Sequence, residues 1–487
     1  TIATFISSNT STGASVFIFI SIVTGDTHML PELFRFSLWN TVRDMWLANA
    51  YPLSVLILLF SGIWPYTKLI LMLVCWVLPT RLMSARWREY VLMLLDALGK
   101  WSLMDAYVLT LMLVAFRFEL VAGPLTLDLY VDPGFGFYSF LMATVVSLVT
   151  THVILALHRG ISDPAVLEEY IHVETKPMHK HHFALGGMIV RWTKLGVGLI
   201  GAVLGLTLLL VLWGSIVESF EFVFGGLAGW ALRDSATTQY SVISLGESVS
   251  KSAIDPGSPG VLWIETTFFL FAFAIPMVHI IVLGVLWLTR LPFKWQRNVY
   301  VLCEVLNAWS ALEVFVIAII AALLELSMFA ESIVGDKCDP LDPILQSPFF
   351  EERLDEPVCF IVTAYLSNGC WILFVACIFY IACRNIVMHI CHELINFHYD
   401  KARKLFEKDE QREFAGGKSI QGEQSFHSSR SDVDLLAAAK DNSSSVGSAI
   451  LRTCLVLRLV ELEDTGDYVD RSTSSSSSDE GDPSFTR

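Results

Sequence analysis

Seven apolar runs, each long enough to cross the roughly 30 Å of hydrocarbon in a bilayer, constrain this chain more than any other feature. They fall at about 50–79, 101–122, 136–158, 195–214, 261–289, 301–329 and 358–383. Composition agrees, because 54% of the 487 residues are hydrophobic and only 17% are charged, with 32 Phe and 14 Trp. That is more apolar side chain than a soluble core needs. The chain therefore reads as an all-α polytopic membrane protein with about seven transmembrane helices. Its net charge of -15 gathers in loops and tail, and no basic stripe indicates a nucleic-acid partner.

Loop charges give the expected orientation. One set of alternate loops is basic, with Arg81, Arg86 and Arg88, then Arg159, Lys176, Lys180, Arg191 and Lys194, then Arg290, Lys294 and Arg297. The other set is acidic, with Asp128 and Asp132, then Glu218, Glu221 and Glu247, then Glu331, Asp336, Asp339, Glu351 and Glu352. The excess of Lys and Arg on cytosolic loops predicts a residue 1 that is outside or lumenal and a C-terminus in the cytosol, in the plasma membrane or an endomembrane.

The chain also repeats itself. Trp101-Ser102-Leu103-Met104-Asp105 returns 208 residues later as Trp309-Ser310-Ala311-Leu312-Glu313. Each copy follows a long apolar helix with proline and a base three residues on, Pro65 with Lys68 and Pro276 with His279, and Thr80-Arg81-Leu82 and Thr289-Arg290-Leu291 lie between. Four landmarks in one order argue for two parallel repeated transmembrane modules. The expected division is an outer segment at 1–49, module 1 at 50–158, a cytosolic loop at 159–194, and module 2 at 195–383 with an outer segment at 215–260 and an outer loop at 330–357. A cytosolic helix at 384–413 and a Ser-rich acidic tail at 414–487 follow, the tail disordered except for an ordered piece at Leu451–Leu462.

The two outer segments are expected to be short strands packed on each other. Val16-Phe17-Ile18-Phe19-Ile20 is β-branched and aromatic and too short to span. Because a helix at about 195–214 precedes the second outer segment and nothing equivalent precedes the first, a further membrane helix or a signal peptide is expected ahead of Thr1.

Lys68 lies inside an otherwise apolar helix, where an ionised lysine costs about 2.5–3.5 kcal/mol, so it should face the bundle interior and find a partner. Asp105 begins the next run, and His279 and Glu313 take the corresponding places in the second copy. The expectation is one lipid or proton site per module, Lys68 with Asp105 and Ser102 in the first, His279 with Glu313 and Ser310 in the second. A second reading stands beside it, since Ser102 with Asp105 and Ser310 with Glu313 have the spacing of a capping box, with Trp101 and Trp309 as interfacial anchors.

The nine cysteines form no C-x-x-C pair. Cys338 and Cys359 bracket the acidic outer loop, where an oxidising environment predicts a disulfide between them; Cys75, Cys303, Cys370, Cys377 and Cys383 fall in apolar runs and should pack as small hydrophobes. Asn9-Thr10-Ser11 is an outer-side sequon, so Asn9 is a candidate glycosylation site. His172, His179, His181 and His182 share one polar loop without paired thiolates or helical i, i+4 spacing, which favours a solvated loop over a metal site. No metal and no cofactor is expected.

The repeated W-S-x-x-[D/E], the P-x-x-[K/H] of the preceding helix and the two units with their outer segments cover roughly residues 15–390 and resemble the paraquat-inducible protein A (PqiA/LetA) family of membrane proteins. The resemblance implies a pair of transmembrane modules and, from bacterial members, a role in moving lipids between membranes beside an MCE-type periplasmic partner. Those members carry cytosolic zinc ribbons of paired cysteines, which this chain lacks, while its Ser-rich tail and sequon look eukaryotic. Two function classes stay open. One is lipid binding or transport, with membrane lipids as partners; the other is a tetraspanin-like structural protein with membrane or scaffold protein partners. With no nucleophile beside a base and no phosphate loop, an enzyme is not expected.

Overall fold

The computed structural model describes residues 1–416, apart from 23–26, 30–31, 33, 80, 123–124, 163–169, 172–174, 182, 186–187, 233–235 and 339–360, together with 460–464. Among the described residues seven helices are long and apolar enough to cross a membrane: α1 (Tyr51–Val77), α2 (Trp87–Ala115), α3 (Phe135–Ile161), α4 (Lys194–Ile216), α5 (Pro259–Leu288), α6 (Phe293–Leu324) and α7 (Asn368–Asp409). Their outward side chains are large and apolar. Ile70, Leu73 and Trp76 on α1 and Leu209 and Trp213 on α4 are exposed, which suits lipid and would be a liability in water. The chain is an integral membrane protein of two repeated modules.

Strands cap the modules. β1 (Ala14–Ile22), β2 (Thr27–Met29), β3 (Phe34–Phe36), β4 (Phe118–Ala122) and β5 (Leu125–Pro133) form one sheet, in which β1 pairs antiparallel with β5 along its whole length, Ala14 opposite Pro133 and Ile22 opposite Leu125. After β6 (Phe183–Leu185) and β7 (Met188–Trp192) come β8 (Phe220–Gly225), β9 (Thr237–Tyr240) and β10 (Ile361–Leu366), a second sheet with β8 at its centre. Among the described residues the strands of the two outer segments fall in separate sheets. Each pairs with the strand that closes its own module, β1 with β5 and β8 with β10. Both partners differ from the sequence expectation, which places β10 at the start of a membrane run and β5 in a loop, although Leu125, Leu127, Leu129 and Val131 alternate with other residues. Residues Ile2–Thr10 are a helix rather than strand, and Phe5 is buried with Leu69, Met72, Leu95 and Phe140.

The duplication can be followed atom by atom. Ahead of each proline the helix widens into a π-turn, Leu58–Ile63 before Pro65 and Leu270–Ala274 before Pro276, because proline has no N–H to give and its ring crowds the carbonyl four residues back. Trp101 stacks on Phe60 of the first π-turn (centroids 5.0 Å, 23° between planes), and Trp309 stacks on Phe271 of the second (5.4 Å, 22°). At the opposite end of each module, Gly136 N donates to Thr12 O at 2.8 Å and Gly369 N donates to Glu218 O at 2.9 Å. A Cβ on either glycine would meet those carbonyls at 2.7 and 2.5 Å, so only glycine lets the strand's approach lie on the helix start. Tyr107 and Phe315, equivalent residues 208 apart, touch each other edge to face at 5.3 Å. Self-contact of equivalent residues is what a twofold relation produces.

Two compact units can be distinguished, one of Thr1–Arg159, Thr207–His279 and Val305–Phe379, the other of Gly160–Leu206, Ile280–Glu304 and Tyr380–Arg487. Strands β1–β5 and β8–β10, both π-turns and both tryptophan stacks belong to the first. In the second, β7 pairs with β6 and with β11 (Val460–Asp464), so part of the distal chain is a strand. His179 and His181 of the polar loop bond backbone oxygens, His179 Nδ1 with Trp287 O at 2.8 Å and His181 Nε2 with Lys176 O at 3.3 Å. His172 and His182 lie outside the described residues, as do most of the 414–487 tail and the 339–360 part of the outer loop.

The repeated stack predicts matched energetics. Double-mutant cycles on Phe60→Leu with Trp101→Leu, and on Phe271→Leu with Trp309→Leu, read by thermal unfolding in detergent, should each return a coupling of about 0.5–1.5 kcal/mol. Zero coupling in one copy would mean that the stacks are not equivalent.

Candidate functional site

The Trp-Ser-x-x-acid motif sits at mid-span, not where a loop enters the membrane. In α2 a helix over Ala85–Gly99 gives way to a 3-10 turn at Lys100–Leu103 before helix resumes at Met104. In α6 helix ends at Trp309, Ser310 and Ala311 are non-helical, and helix resumes at Leu312. A broken helix in hydrocarbon releases backbone groups that neighbours must satisfy. Leu98 O accepts from Trp64 Nε1 at 3.0 Å, Asn307 O accepts from Lys100 Nζ at 3.2 Å, and Ala311 N donates to Phe271 O at 3.1 Å. Capping by the motif's own side chains is not the device in the first copy, where Leu103 is the N-cap residue and no side-chain bond is made. Ser102 and Ser310 are both buried.

Charge collects at the breaks. Lys68 is 1% exposed and its Nζ makes no hydrogen bond. It lies against the bare Cα of Gly99, where a Cβ would come 2.5 Å from Nζ and 2.7 Å from Leu148 Cδ2. Asp96 supplies the opposing charge. Asp96 Oδ2 lies 3.3 Å from His152 Nδ1, and His152 Nε2 accepts from Trp309 Nε1 at 2.7 Å. Indole nitrogen can only donate, so Nε2 must present its lone pair and the ring proton sits on Nδ1 toward Asp96. His152 is then neutral, which leaves Lys68 to balance Asp96. A second pair crosses between the copies, Lys100 Nζ to Glu313 Oε1, both almost fully buried.

The predicted partnership of Lys68 with Asp105 is therefore corrected to Lys68 with Asp96. The reason is the helix boundary: α2 starts near Trp87, not Trp101, so Asp96 is level with Lys68 while Asp105 is about 13 Å further along at 1.5 Å per residue. Asp105 lines a separate small cleft with Asn9, Gly13, Phe36, Ser37 and Thr41. Glu313 takes its contact from Lys100 of the other copy, and His279 is fully buried at the position equivalent to Lys68. Asn9 is half-buried and its Nδ2 donates to Tyr66 OH at 3.0 Å, a bond a glycan would have to break. Cys359 lies outside the described residues and Cys338 is described only as the last residue of its helix, so the expected disulfide falls beyond the described residues.

Asp96, Lys100 and His152 were missed by sequence reading. Asp96 and Lys100 stand at i, i+4 inside a stretch that is leucine-rich on both sides, which is the signal that one helix runs through them.

The chain matches the paraquat-inducible protein A family over residues 14–156 and 248–337. These segments hold Lys68, Asp96, Lys100, Asp105, His152, His279 and Glu313. No curated protein and no solved structure matches the chain.

Removing one half of a buried pair leaves an uncompensated charge. Lys100→Met should lower unfolding stability by about 3–5 kcal/mol, and Lys100→Met with Glu313→Met should recover most of it. Denaturation of the detergent-solubilised protein checks both. Equal losses in single and double variants would mean that Glu313 does not depend on Lys100.

Proposed function

From the premise that the chain belongs to the paraquat-inducible protein A family, we propose that it binds and moves membrane lipid through the polar sites inside its two modules. The observation that carries this is Lys68, an ammonium at mid-span, buried, without a hydrogen bond and beside a broken helix. A buried Lys in hydrocarbon marks a ligand or ion path by default, and helices broken at the midplane build such sites in transporters. Its three donors suit an anionic oxygen, as a lipid phosphate supplies. Asp96, itself bonded to His152, is the charge that faces the ammonium. His279 holds the same place in the second module with a different base.

A purely structural role would gain nothing from such a group, since an apolar side chain of the same volume would be as stable or better. The loop charges set the accompanying orientation, with residue 1 on the outer or lumenal side and the C-terminus in the cytosol.

The test is lipid occupancy. Lys68→Met alone strands Asp96, so the decisive variant is Lys68→Met with Asp96→Asn, which removes both charges. Purified in detergent and analysed by native mass spectrometry, it should carry at least tenfold less co-purifying phospholipid than the parent chain, while Asp105→Asn, which lies apart, should match the parent. Undiminished lipid in the folded double variant would overturn the proposal.

A further inference from the structure

The cleft that Asp105 lines belongs to the first compact unit and stands apart from the Lys68 site. Five other side chains bring oxygen to it: Ser8 and Asn9 of the helix Ile2–Thr10, Ser11 after it, and Ser37 and Thr41 of the helix Leu38–Leu47, which Ser37 caps. Much of the remaining wall is apolar, with Met45 and Ile57 buried in it. The free volume is about 50 Å³, room for a small ion with a water or two and too little for a lipid headgroup.

The hydrogen bonds around the cleft spend its donors elsewhere. Ser8 Oγ donates to Gly136 O at 2.7 Å, Ser11 Oγ donates to Ser7 O at 2.6 Å, and Asn9 Nδ2 donates to Tyr66 OH at 3.0 Å. What these groups keep is lone pairs, Asn9 Oδ1 included, while the hydroxyls of Ser37 and Thr41 can turn an oxygen the same way. Among the described residues Asp105 forms no hydrogen bond or ion pair. The arginines of the neighbouring segments are engaged or turned outward: Arg35 is exposed and paired with Glu32, and Arg43 is exposed with the charge of Asp44 beside it. The positive end of the helix Leu38–Leu47 lies at Ser37, but it is worth only about half an elementary charge, less than the carboxylate carries.

The repeat leads to the same place. Glu313 holds the position equivalent to Asp105 and is neutralised by Lys100; the residue that stands to Asp105 as Lys100 stands to Glu313 is Ala308. We propose that the cleft binds a small monovalent cation, sodium in size, on the Asp105 carboxylate and the neutral oxygens around it. One carboxylate balances one positive charge, whereas a calcium site draws on several carboxylates. Oxygen donors without imidazole or thiolate likewise suit a hard cation rather than zinc or copper. The ion takes the part that Lys100 plays in the other copy, and by bridging the helices Ile2–Thr10 and Leu38–Leu47 to α2 it stabilises the outer side of module 1.

The experiment measures equilibrium binding of radioactive sodium to the full chain in detergent, together with the unfolding midpoint in sodium chloride and in choline chloride at equal ionic strength. The expected result is saturable binding near one ion per chain and a higher midpoint in sodium. Asp105→Asn should bind at least tenfold more weakly and unfold at one midpoint in both salts. In choline it should be no less stable than the parent, because the unpaired charge is gone, and this reading also establishes that the variant is folded. Equal sodium binding by folded Asp105→Asn would overturn the proposal, as would a parent chain with no saturable binding. A midpoint raised as much by choline as by sodium would reduce the effect to screening and overturn it too. Displacement of sodium by calcium at far lower concentration than by sodium itself would overturn the monovalent assignment.

Discussion

The ion pair between Lys100 and Glu313 is the interaction on which the membrane core depends. Each residue sits where a transmembrane helix breaks, and each would be prohibitive alone in hydrocarbon. Lys100 does two things with one ammonium: it neutralises Glu313 and occupies the Asn307 carbonyl that the second break releases. The breaks are thereby stabilised against one another. Neither broken helix is a complete structure without its counterpart.

Around that pair the repeat supplies the remaining support twice over. Each π-turn ahead of a proline presents a phenylalanine, each break presents a tryptophan, and the two stack at nearly the same angle in both copies. A widened turn is a natural place for such a contact, because it moves a side chain off the regular helical rows. In the second copy the link is also backbone to backbone, Ala311 N to Phe271 O, so the π-turn and the break share their unsatisfied groups. Proline and tryptophan in the motif thus act on the same joint from two helices.

Much of this was legible in the sequence and some was not, for reasons that particular residues make clear. The apolar runs and the repeated landmarks are period and spacing, which survive any packing. The start of α2 was misplaced because Asp96 and Lys100 look like loop residues until their partners on other helices are known, and those partners are remote in sequence: Lys68, His152 and Glu313. A helix boundary drawn at Trp101 then assigned Asp105 to Lys68 and read a mid-span break as a helix start. β5 carries a clear alternation, whereas β10 is masked because only Ser367, Asn368 and Gly369 separate Ile361–Leu366 from the next apolar run. The helix at Ile2–Thr10 has only Phe5 and Ser8 buried, too short a pattern to reveal itself.

The repeat also explains why, among the described residues, no ion pair is formed by Asp105. A twofold relation that brings residue 100 of one copy to residue 313 of the other must bring the equivalents, 308 and 105, together in the same way. Position 308 is alanine, 1% exposed, so the symmetric counterpart of the Lys100–Glu313 pair has no cation. Gly99, which makes room for Lys68, corresponds to Asn307, whose carbonyl Lys100 occupies. A single step in the repeat, Gly-Lys in one copy and Asn-Ala in the other, thus assigns the copies different tasks. The first holds a buried ammonium beside Asp96, the second accepts the locking pair, and Asp105 lines a cleft beside Asn9 and Ser37. The repeat places the charged positions alike in both copies, and lysine at 100 against alanine at 308 makes the two copies differ.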